Sequence, residues 1–219
     1  MKRSRLISIA VALLLPLAAI ADSYTSLWKQ YDVAVRKDHP QTVLRLLSQI
    51  ADKAQRERAY GQLLKAQVKS ADYQCELSAD SLQPVVERMK LMEQQAVNSG
   101  DNVLAAIYQS VLGSVYTNNS FALDDAKATG KQYFKKSMSH PDALAKAYAT
   151  GYEPFVVDGV DSKYYYDDML HIIAMRAKDY RTMHDYYASH GKREGALLTA
   201  LELVKKSRKV GDEGRVKKS

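Results

Sequence analysis

The stretch PQTVLRLLSQIADKA, residues 40–54, indicates most directly how this chain folds. Its apolar residues recur at intervals of three and four, the spacing that lines up side chains on one face of a helix. These residues are Val43, Leu46, Leu47, Ile50 and Ala54. Pro40 lies in the first turn, where a helix tolerates a residue without an N–H group. The stretch predicts an amphipathic helix whose apolar stripe packs against neighbouring elements.

The same spacing continues on both sides of this stretch and through most of the chain. Apolar stripes predict a helix that ends near Lys37, another that opens at Pro141, and helices over residues 60–71, 82–96, 103–115, 121–138, 166–177, 180–187 and 196–204. Glycine and proline punctuate residues 150–162 too closely for a helix, so we expect an irregular connector with an extended piece there. The chain is predicted to be all-α, with antiparallel helical hairpins arranged as an irregular tetratricopeptide-like array or as a bundle.

The first 21 residues predict an export signal. A basic head at residues 2–5 precedes an apolar run over residues 6–21. This order is typical of a secretory signal peptide, cut here between Ala21 and Asp22. The run is shorter than the roughly 20 uninterrupted apolar residues of a membrane span, and Pro16 breaks it. We expect an exported protein of the periplasm, cell envelope or surrounding medium, with no transmembrane segment after signal cleavage.

The charge of the chain gives no reason to expect a nucleic-acid partner. Removal of the leader takes away three basic residues and no acidic one, which lowers the formal net charge from +7 to +4. Further basic residues lie within residues 205–218, a segment without aromatic side chains. Because this charge is not gathered on a folded face, we expect a solvated, frayed end there.

These observations divide the chain into five segments. They are a signal peptide (1–21), an N-terminal helical module (22–149), the irregular connector (150–162), C-terminal tetratricopeptide-like helices (163–207) and a basic flexible tail (208–219). Small residues opposite aromatics in the last helices are typical of tetratricopeptide units, although no strict repeat length recurs. The single cysteine, Cys75, leaves the chain without an internal disulfide, so a packed core must supply the stability.

Several stretches follow one another in the order found in a bacterial protein family. They are SYTSLWKQ (23–30), KDHPQT (37–42), IADKA (50–54), SHPD (139–142), YEP (152–154), GVDSKY (159–164) and REGALLTALE (193–202). Together they resemble the N-terminal helical segment of large bacterial alpha-2-macroglobulin-like proteins, and the resemblance covers most of the chain after the leader. None of these stretches is a catalytic signature.

The resemblance implies an exported protease trap, in which a bait segment is cleaved and, in many members, a thioester couples to the protease. The thioester needs the order Cys-x-Glu-Gln, whereas Cys75 is followed by Glu76, Leu77 and Ser78. The bait region and the β-sandwich domains that follow in the family do not appear in this sequence either. The resemblance therefore implies a truncated form, or a module left alone, that works by contact with a protein partner. That partner is the missing downstream part of such a protein, or another chain.

Candidate catalytic, cofactor and metal residues are few. Three histidines and three aspartates share the back half of the chain, at His171, His184, His190, Asp167, Asp168 and Asp185. They lack the His-Glu-x-x-His and paired-cysteine spacings of metal sites. Cys75 lacks the local sequence of an activated nucleophile. We therefore predict no catalytic, cofactor-binding or metal-binding residue, and no enzyme.

The tyrosines are more informative, because aromatic side chains with a polar end are enriched at protein interfaces. Fifteen occur, and the back half is crowded with them. Helical spacing explains Tyr166, Tyr180 and Tyr187 as packing residues. We predict a protein-contact surface formed by Tyr164, Tyr165, Asp168 and Tyr186. In the alternative interpretation, the chain is a free-standing tetratricopeptide-like protein of the cell envelope, and this surface binds a peptide or protein.

Overall fold

The computed structural model describes residues 16–157 and 159–216, with side chains for residues 24–157 and 159–208. The described part is all-α, as predicted, and contains no strand. Its α-helices are α1 (Pro16–Arg36), α2 (Pro40–Glu57), α3 (Tyr60–Leu77), α4 (Leu82–Asn98), α5 (Asn102–Asn118), α6 (Ala126–Ser137), α7 (Pro141–Lys146), α8 (Met169–Ala177), α9 (Tyr180–Ser189) and α10 (Arg193–Val216). Three 3₁₀ helices join them: η1 (Ala79–Ser81), η2 (Ala149–Tyr152) and η3 (Ser162–Tyr165).

Two helices start later than their apolar spacing predicts. α6 begins at Ala126, and Phe121, at the predicted start, is 88 % exposed. α8 begins at Met169 because Tyr166 and Asp167 adopt left-handed backbone angles, with φ of 61° and 51°. Such angles cannot continue a right-handed helix. Apolar spacing does not reveal a left-handed turn, so the predicted boundaries were too early.

The connector over residues 150–162 closes on itself as a loop. Its expected extended piece is not a strand; instead η2 and η3 occupy its two ends. Tyr148 and Asp168 form an isolated antiparallel bridge. The Ala149 N–H donates to Asp167 O at 2.8 Å, and the Met169 N–H donates to Ala147 O at 2.9 Å. These hydrogen bonds hold together the two chain segments that flank the loop.

The chain divides between Tyr73 and Gln74, inside α3, into two compact units. This division does not coincide with the predicted boundaries at residues 149 and 162. Helices α5, α6 and α7, which precede the connector, pack against α8, which follows it. The connector therefore lies within one unit.

The two predicted terminal segments are only partly described. Residues 1–15 of the predicted leader lie outside the described residues, and the backbone at Ala21 and Asp22 belongs to α1. Signal cleavage stays a prediction. At the other end the helical backbone of α10 runs to Val216, where a flexible tail was expected, and residues 217–219 are outside the described part. Among the described helices, none is both long and apolar enough to cross a membrane.

The first unit has its core along α2. Every residue of the predicted stripe is buried, which confirms the sequence interpretation. Tyr24 and Ala34 of α1 and Leu63 and Ala66 of α3 complete the same cluster. At its edge the Trp28 indole donates from Nε1 to Gln62 Oε1 at 2.7 Å. The Lys65 ammonium lies 4.6 Å from the centroid of the Trp28 ring.

A carboxylate ties α1 to the end of α2. The Tyr24 hydroxyl donates to Glu57 Oε2 at 2.6 Å, and Lys53 donates to the other oxygen. These hydrogen bonds, first that of Lys53 and then that of Tyr24, lower the pKa of the Glu57 carboxyl. The folded unit thus stabilises the ionised form of Glu57.

Glu57→Gln is expected to reduce the acid sensitivity of the first unit. Because the pKa of Glu57 is lower in the folded chain, its contribution is present above the unfolded value of about 4.3. The contribution disappears as the pH falls through the lower, folded value. Urea unfolding over a pH series would show a shallower acid loss in Glu57→Gln than in the native chain. Asp52→Asn, a carboxylate change in the same helix, is the control, and equal pH slopes in all three proteins would contradict the assignment.

The second unit is built around α5, which contacts α4, α6, α7 and α8. Ten of its seventeen residues are buried. Glycine allows α5 and α6 to approach each other closely. A Cβ atom added at Gly113 would lie 2.8 Å from the Phe134 ring, and one at Gly130 would lie 2.7 Å from Thr117 Oγ1 and 3.1 Å from the carbonyl oxygen of Gly113. The helices can cross this closely because neither Gly113 nor Gly130 carries a side chain.

Candidate functional site

A groove of about 380 Å³ lies between η3 and the first half of α10. Its lining consists of Asp161, Tyr164, Tyr165, Glu194, Leu197, Leu198, Leu201, Glu202 and Lys205. Two of these residues, Tyr164 and Tyr165, belong to the contact surface predicted from the sequence. The groove is therefore our candidate for a protein-contact site.

One wall of the groove is an apolar stripe along α10. Leu197 is 65 % exposed, Leu201 is 50 % exposed, and Val204, just beyond the groove, is 47 % exposed. Spaced four and three residues apart, these side chains share one face of the helix. Contiguous apolar side chains on a surface mark interaction sites in soluble proteins. Among the described residues, nothing covers this stripe.

Small residues on the opposite side of α10 explain why the leucines face outward. Gly195 and Thr199 are buried there. A Cβ atom at position 195 would lie 2.8 Å from Tyr187 Cδ2 and 3.1 Å from Tyr166 Cε2, closer than packed carbons approach. Thr199 Oγ1 donates to the carbonyl oxygen of Gly195 at 2.5 Å, which satisfies its buried hydroxyl. The helix therefore packs through Gly195 and Thr199 and leaves Leu197 and Leu201 to solvent.

Asp168 supports both sides of the groove from within the unit. Its side chain is buried, and Oδ1 accepts the backbone N–H of His171 at 3.1 Å and the Tyr187 hydroxyl at 2.9 Å. Lys192 Nζ lies 3.4 Å from Oδ2. The carboxylate thus caps α8 and holds α9 and the start of α10. A buried charge needs such partners, because loss of hydration is costly.

Stacked rings surround this carboxylate. The Tyr165 ring lies 5.3 Å from the His171 ring, centroid to centroid, and the planes are nearly parallel. Lys192 Nζ lies 4.4 Å from the centroid of the Tyr166 ring. Burial raises the pKa of Tyr187, and the charge and hydrogen bond of Asp168 raise it further. The Tyr187 hydroxyl therefore keeps its proton and donates a hydrogen bond to Asp168.

The groove is acidic. Asp161, Glu194 and Glu202 line it, and the cation in its lining, Lys205, donates to Glu202 Oε1 at 2.6 Å. This hydrogen bond raises the pKa of Lys205. Burial raises the pKa of Tyr165 in the groove, and the negative charges of Glu202 and Asp161 raise it further. Three carboxylates against one ammonium leave the groove with a net negative charge.

The four residues of the predicted contact surface occupy three different places. Tyr164 is exposed and lines the groove, as expected for a contact residue. Tyr165 also lines the groove but is buried, and Asp168 is buried beneath it, which corrects the expectation of exposure for both. Tyr186 lies outside the groove lining, where its ring stacks on His190 at 4.0 Å. A role in protein binding stays a prediction for this surface.

Sequence interpretation missed the residues of α10 that form most of the groove. The apolar stripe over residues 196–204 suggested a packed face, but Leu197 and Leu201 are exposed. The useful signal was the second stripe on the same helix, formed by Gly195 and Thr199. Small residues at helical spacing allow close packing between helices, so the face that carries them can be buried instead of the face that carries leucine.

The candidate metal ligands do not converge. Within the described residues, no three histidine, cysteine, aspartate or glutamate side chains gather where they could hold a metal ion. His171 Nδ1 lies 3.5 Å from Asp168 Oδ1, and His184 Nδ1 lies 3.0 Å from Oδ1 of its neighbour Asp185. The first pair lies at the start of α8 and the second lies within α9, and each is a contact between neighbours in sequence.

The stretches on which the predicted family resemblance rests lie in both units. Residues 50–54 include Ile50 and Ala54 of the buried stripe of α2, and residues 193–202 include most of the α10 residues that line the groove. The resemblance thus includes part of the candidate site and stays a prediction. No protein-family model matches this chain, and neither a search of curated proteins nor a search of solved structures finds a similar protein.

Proposed function

We propose that the protein is an exported, non-catalytic interaction module that holds a protein partner in the groove between η3 and α10. The observation that carries this proposal is the exposed stripe of Leu197, Leu201 and Val204. Burial of apolar surface contributes about 25 cal/mol per Å², so covering three such side chains supplies a few kcal/mol. That amount suits a transient contact or one part of a larger interface.

The partner segment is an amphipathic helix with basic residues beside its apolar stripe. A helix that enters a groove presents apolar anchors three and four residues apart, which matches the spacing of Leu197 and Leu201 on the facing helix. The carboxylates of Asp161 and Glu194 attract lysine or arginine and repel an acidic partner. Tyr164 adds an exposed aromatic ring with a hydroxyl, the type of side chain enriched at interfaces.

Two versions of this proposal differ in where the partner segment comes from. In the first, which follows the family resemblance, the segment belongs to the remaining domains of an alpha-2-macroglobulin-like protein in the periplasm or cell envelope, or to a chain bound to them. In the alternative, the chain is a free-standing tetratricopeptide-like protein that binds a peptide of another protein, and the close packing of α9 on α10 through Gly195 favours it. The gene beyond Ser219 separates them, because an in-frame continuation into β-rich domains supports the first and a stop codon the second.

Replacement of the two leucines of the stripe is expected to weaken binding of a basic helical peptide. The probe is a synthetic amphipathic helix with leucines four and three residues apart and lysines beside them. Leu197→Gln combined with Leu201→Gln should weaken binding at least tenfold, which corresponds to about 1.4 kcal/mol. Both side chains are largely exposed, so the double variant should fold with native stability. Fluorescence anisotropy of the labelled peptide measures the affinity.

The matched control is Leu91→Gln. Leu91 is also 65 % exposed and also lies on a helix of the second unit, but outside the groove lining. Its replacement should leave the affinity unchanged. A peptide of the same apolar pattern with glutamates in place of lysines should bind at least tenfold more weakly. Equal binding of the acidic and basic peptides, or equal losses in the Leu91 and Leu197 variants, would refute the groove as the docking site.

A further inference from the structure

A second cavity, of about 190 Å³, lies between α5, α8 and residues 155–157. Its walls are largely apolar and include Ile107, Val111, Val156, Met169, Ile172 and Ile173. An apolar cavity of about 150 Å³ is large enough for benzene. This cavity therefore has room for one six-membered ring and a small substituent.

An unsatisfied hydroxyl lines this apolar cavity. Ser110 is only 1 % exposed, and its Oγ forms no hydrogen bond with the described residues. Two other hydroxyls on α5 are satisfied by hydrogen bonds. Ser114 Oγ donates to the carbonyl oxygen of Ser110 at 3.1 Å, and Thr117 Oγ1 donates to that of Gly113 at 2.7 Å. Buried polar atoms in folded proteins nearly always have a partner. Ser110 is thus a buried donor in the wall of a cavity.

A guanidinium stands at the same cavity. Arg176 lines the cavity and is also accessible to solvent. Its Nη2 atom donates to Ser114 Oγ at 2.8 Å, and Ser114 lies one helical turn after Ser110 on α5. Partial loss of hydration at the cavity wall lowers the pKa of the Arg176 guanidinium. A guanidinium has five N–H donors, and only one is engaged in this hydrogen bond.

We propose that this cavity binds a small monocarboxylate with a compact apolar body, of the size of benzoate. The carboxylate accepts hydrogen bonds from the Arg176 guanidinium and the Ser110 hydroxyl, and the apolar body fills the space between α5 and α8. Arginine holds carboxylates well because its planar fork matches their geometry. This site is separate from the η3–α10 groove and does not depend on the function proposed for it.

The test is a titration of the full chain with benzoate, benzyl alcohol and benzylamine. These probes share the ring and differ in charge. Methyl signals of Ile107, Ile172 and Met169 in NMR spectra report occupation of the cavity directly. Benzoate should shift these signals with a saturable dissociation constant of about 1 mM or tighter, as expected for so small a ligand. Benzyl alcohol should bind at least tenfold more weakly, and benzylamine should not bind.

Variants assign the roles of the two polar groups. Arg176→Gln should weaken benzoate binding at least tenfold, whereas Arg176→Lys, which keeps the charge and loses the fork, should cause a smaller loss. Ser110→Ala should weaken binding and also raise the thermal midpoint of the ligand-free chain, since it removes a buried hydroxyl without a partner. Arg181→Gln, on α9 and outside the cavity lining, is the matched control.

Native methyl spectra in each variant establish that it folds. Equal affinities for benzoate and benzyl alcohol would overturn the proposal, and so would unchanged benzoate affinity in Arg176→Gln. The absence of any methyl shift at about tenfold above the expected dissociation constant would also overturn it. A rise in stability for Ser110→Ala together with lost benzoate binding is the combination that a purely structural serine would not produce.

Discussion

Asp168→Ala is expected to destabilise the second unit by about 3 kcal/mol, the largest effect of a single side-chain truncation at the candidate site. Loss of the cap of α8 accounts for about 1 kcal/mol. The remainder arises because the Tyr187 hydroxyl is fully buried and would lose its acceptor, and Lys192 would lose its carboxylate. Urea unfolding of the full chain, followed by far-UV circular dichroism, measures the loss.

Asp101→Ala provides the matched control for this prediction. Asp101 caps α5 through the same bond, accepting the backbone N–H of Leu104 at 3.0 Å, and has no buried tyrosine partner in the described structure. Asp101→Ala should lower the free energy of unfolding only by the contribution of the helix cap, about 1 kcal/mol. Asp168→Asn should fall between the two, because an amide still caps a helix and accepts from Tyr187. If Asp168→Ala costs no more than Asp101→Ala, the carboxylate does not support the groove.

Gly130→Leu is expected to lower the free energy of unfolding by roughly 3 kcal/mol or more, and Gly130→Ala by about 1–2 kcal/mol. Alanine favours a helix over glycine by about 1 kcal/mol, so any loss must come from crowding. A Cβ atom there would meet Thr117 Oγ1 and the backbone carbonyl of Gly113, and the carbonyl cannot rotate away. The displaced Thr117 would also lose its 2.7 Å bond to that carbonyl. Thermal unfolding should show a fall of roughly 2–4 °C per kcal/mol.

Gly151→Ala is the control for the helix crossing. Nothing lies within 4 Å of a Cβ atom at Gly151, and its backbone does not require glycine. This change should be neutral or slightly stabilising, because alanine restricts the unfolded chain. A stable Gly130→Leu protein would mean that α5 and α6 separate easily, contrary to the close approach in the structure.

Helical periodicity predicted much of the fold because it records which side of a helix is apolar. The stripe from Val43 to Ala54 is buried residue for residue. Periodicity failed at Tyr166 and Asp167, where two left-handed residues delay α8, since backbone handedness has no apolar signature. It also gave no sign of the division between Tyr73 and Gln74, which falls within a continuous helix.

The candidate site was predictable only in part. Tyr164 and Tyr165 were identified as aromatic residues outside the helical stripes, and both line the groove. Asp168 is part of the predicted contact surface, but its side chain is buried. Its position directly before the apolar Met169 and Leu170 is the signature of a helix N-cap, and that signal pointed to its structural role. Leu197 was assigned to the core because the sequence alone does not reveal which of two stripes on α10 faces inward.

The packing of Trp28 gives the chain a built-in optical probe. It is the single tryptophan of the sequence, and its indole contacts Gln62 and Lys65 within the first unit. Selective excitation of this ring yields emission that follows the opening of that unit, whereas circular dichroism sums the signal of every helix. Emission and dichroism recorded on the same sample should therefore separate the unfolding of residues before and after Tyr73, without any added label.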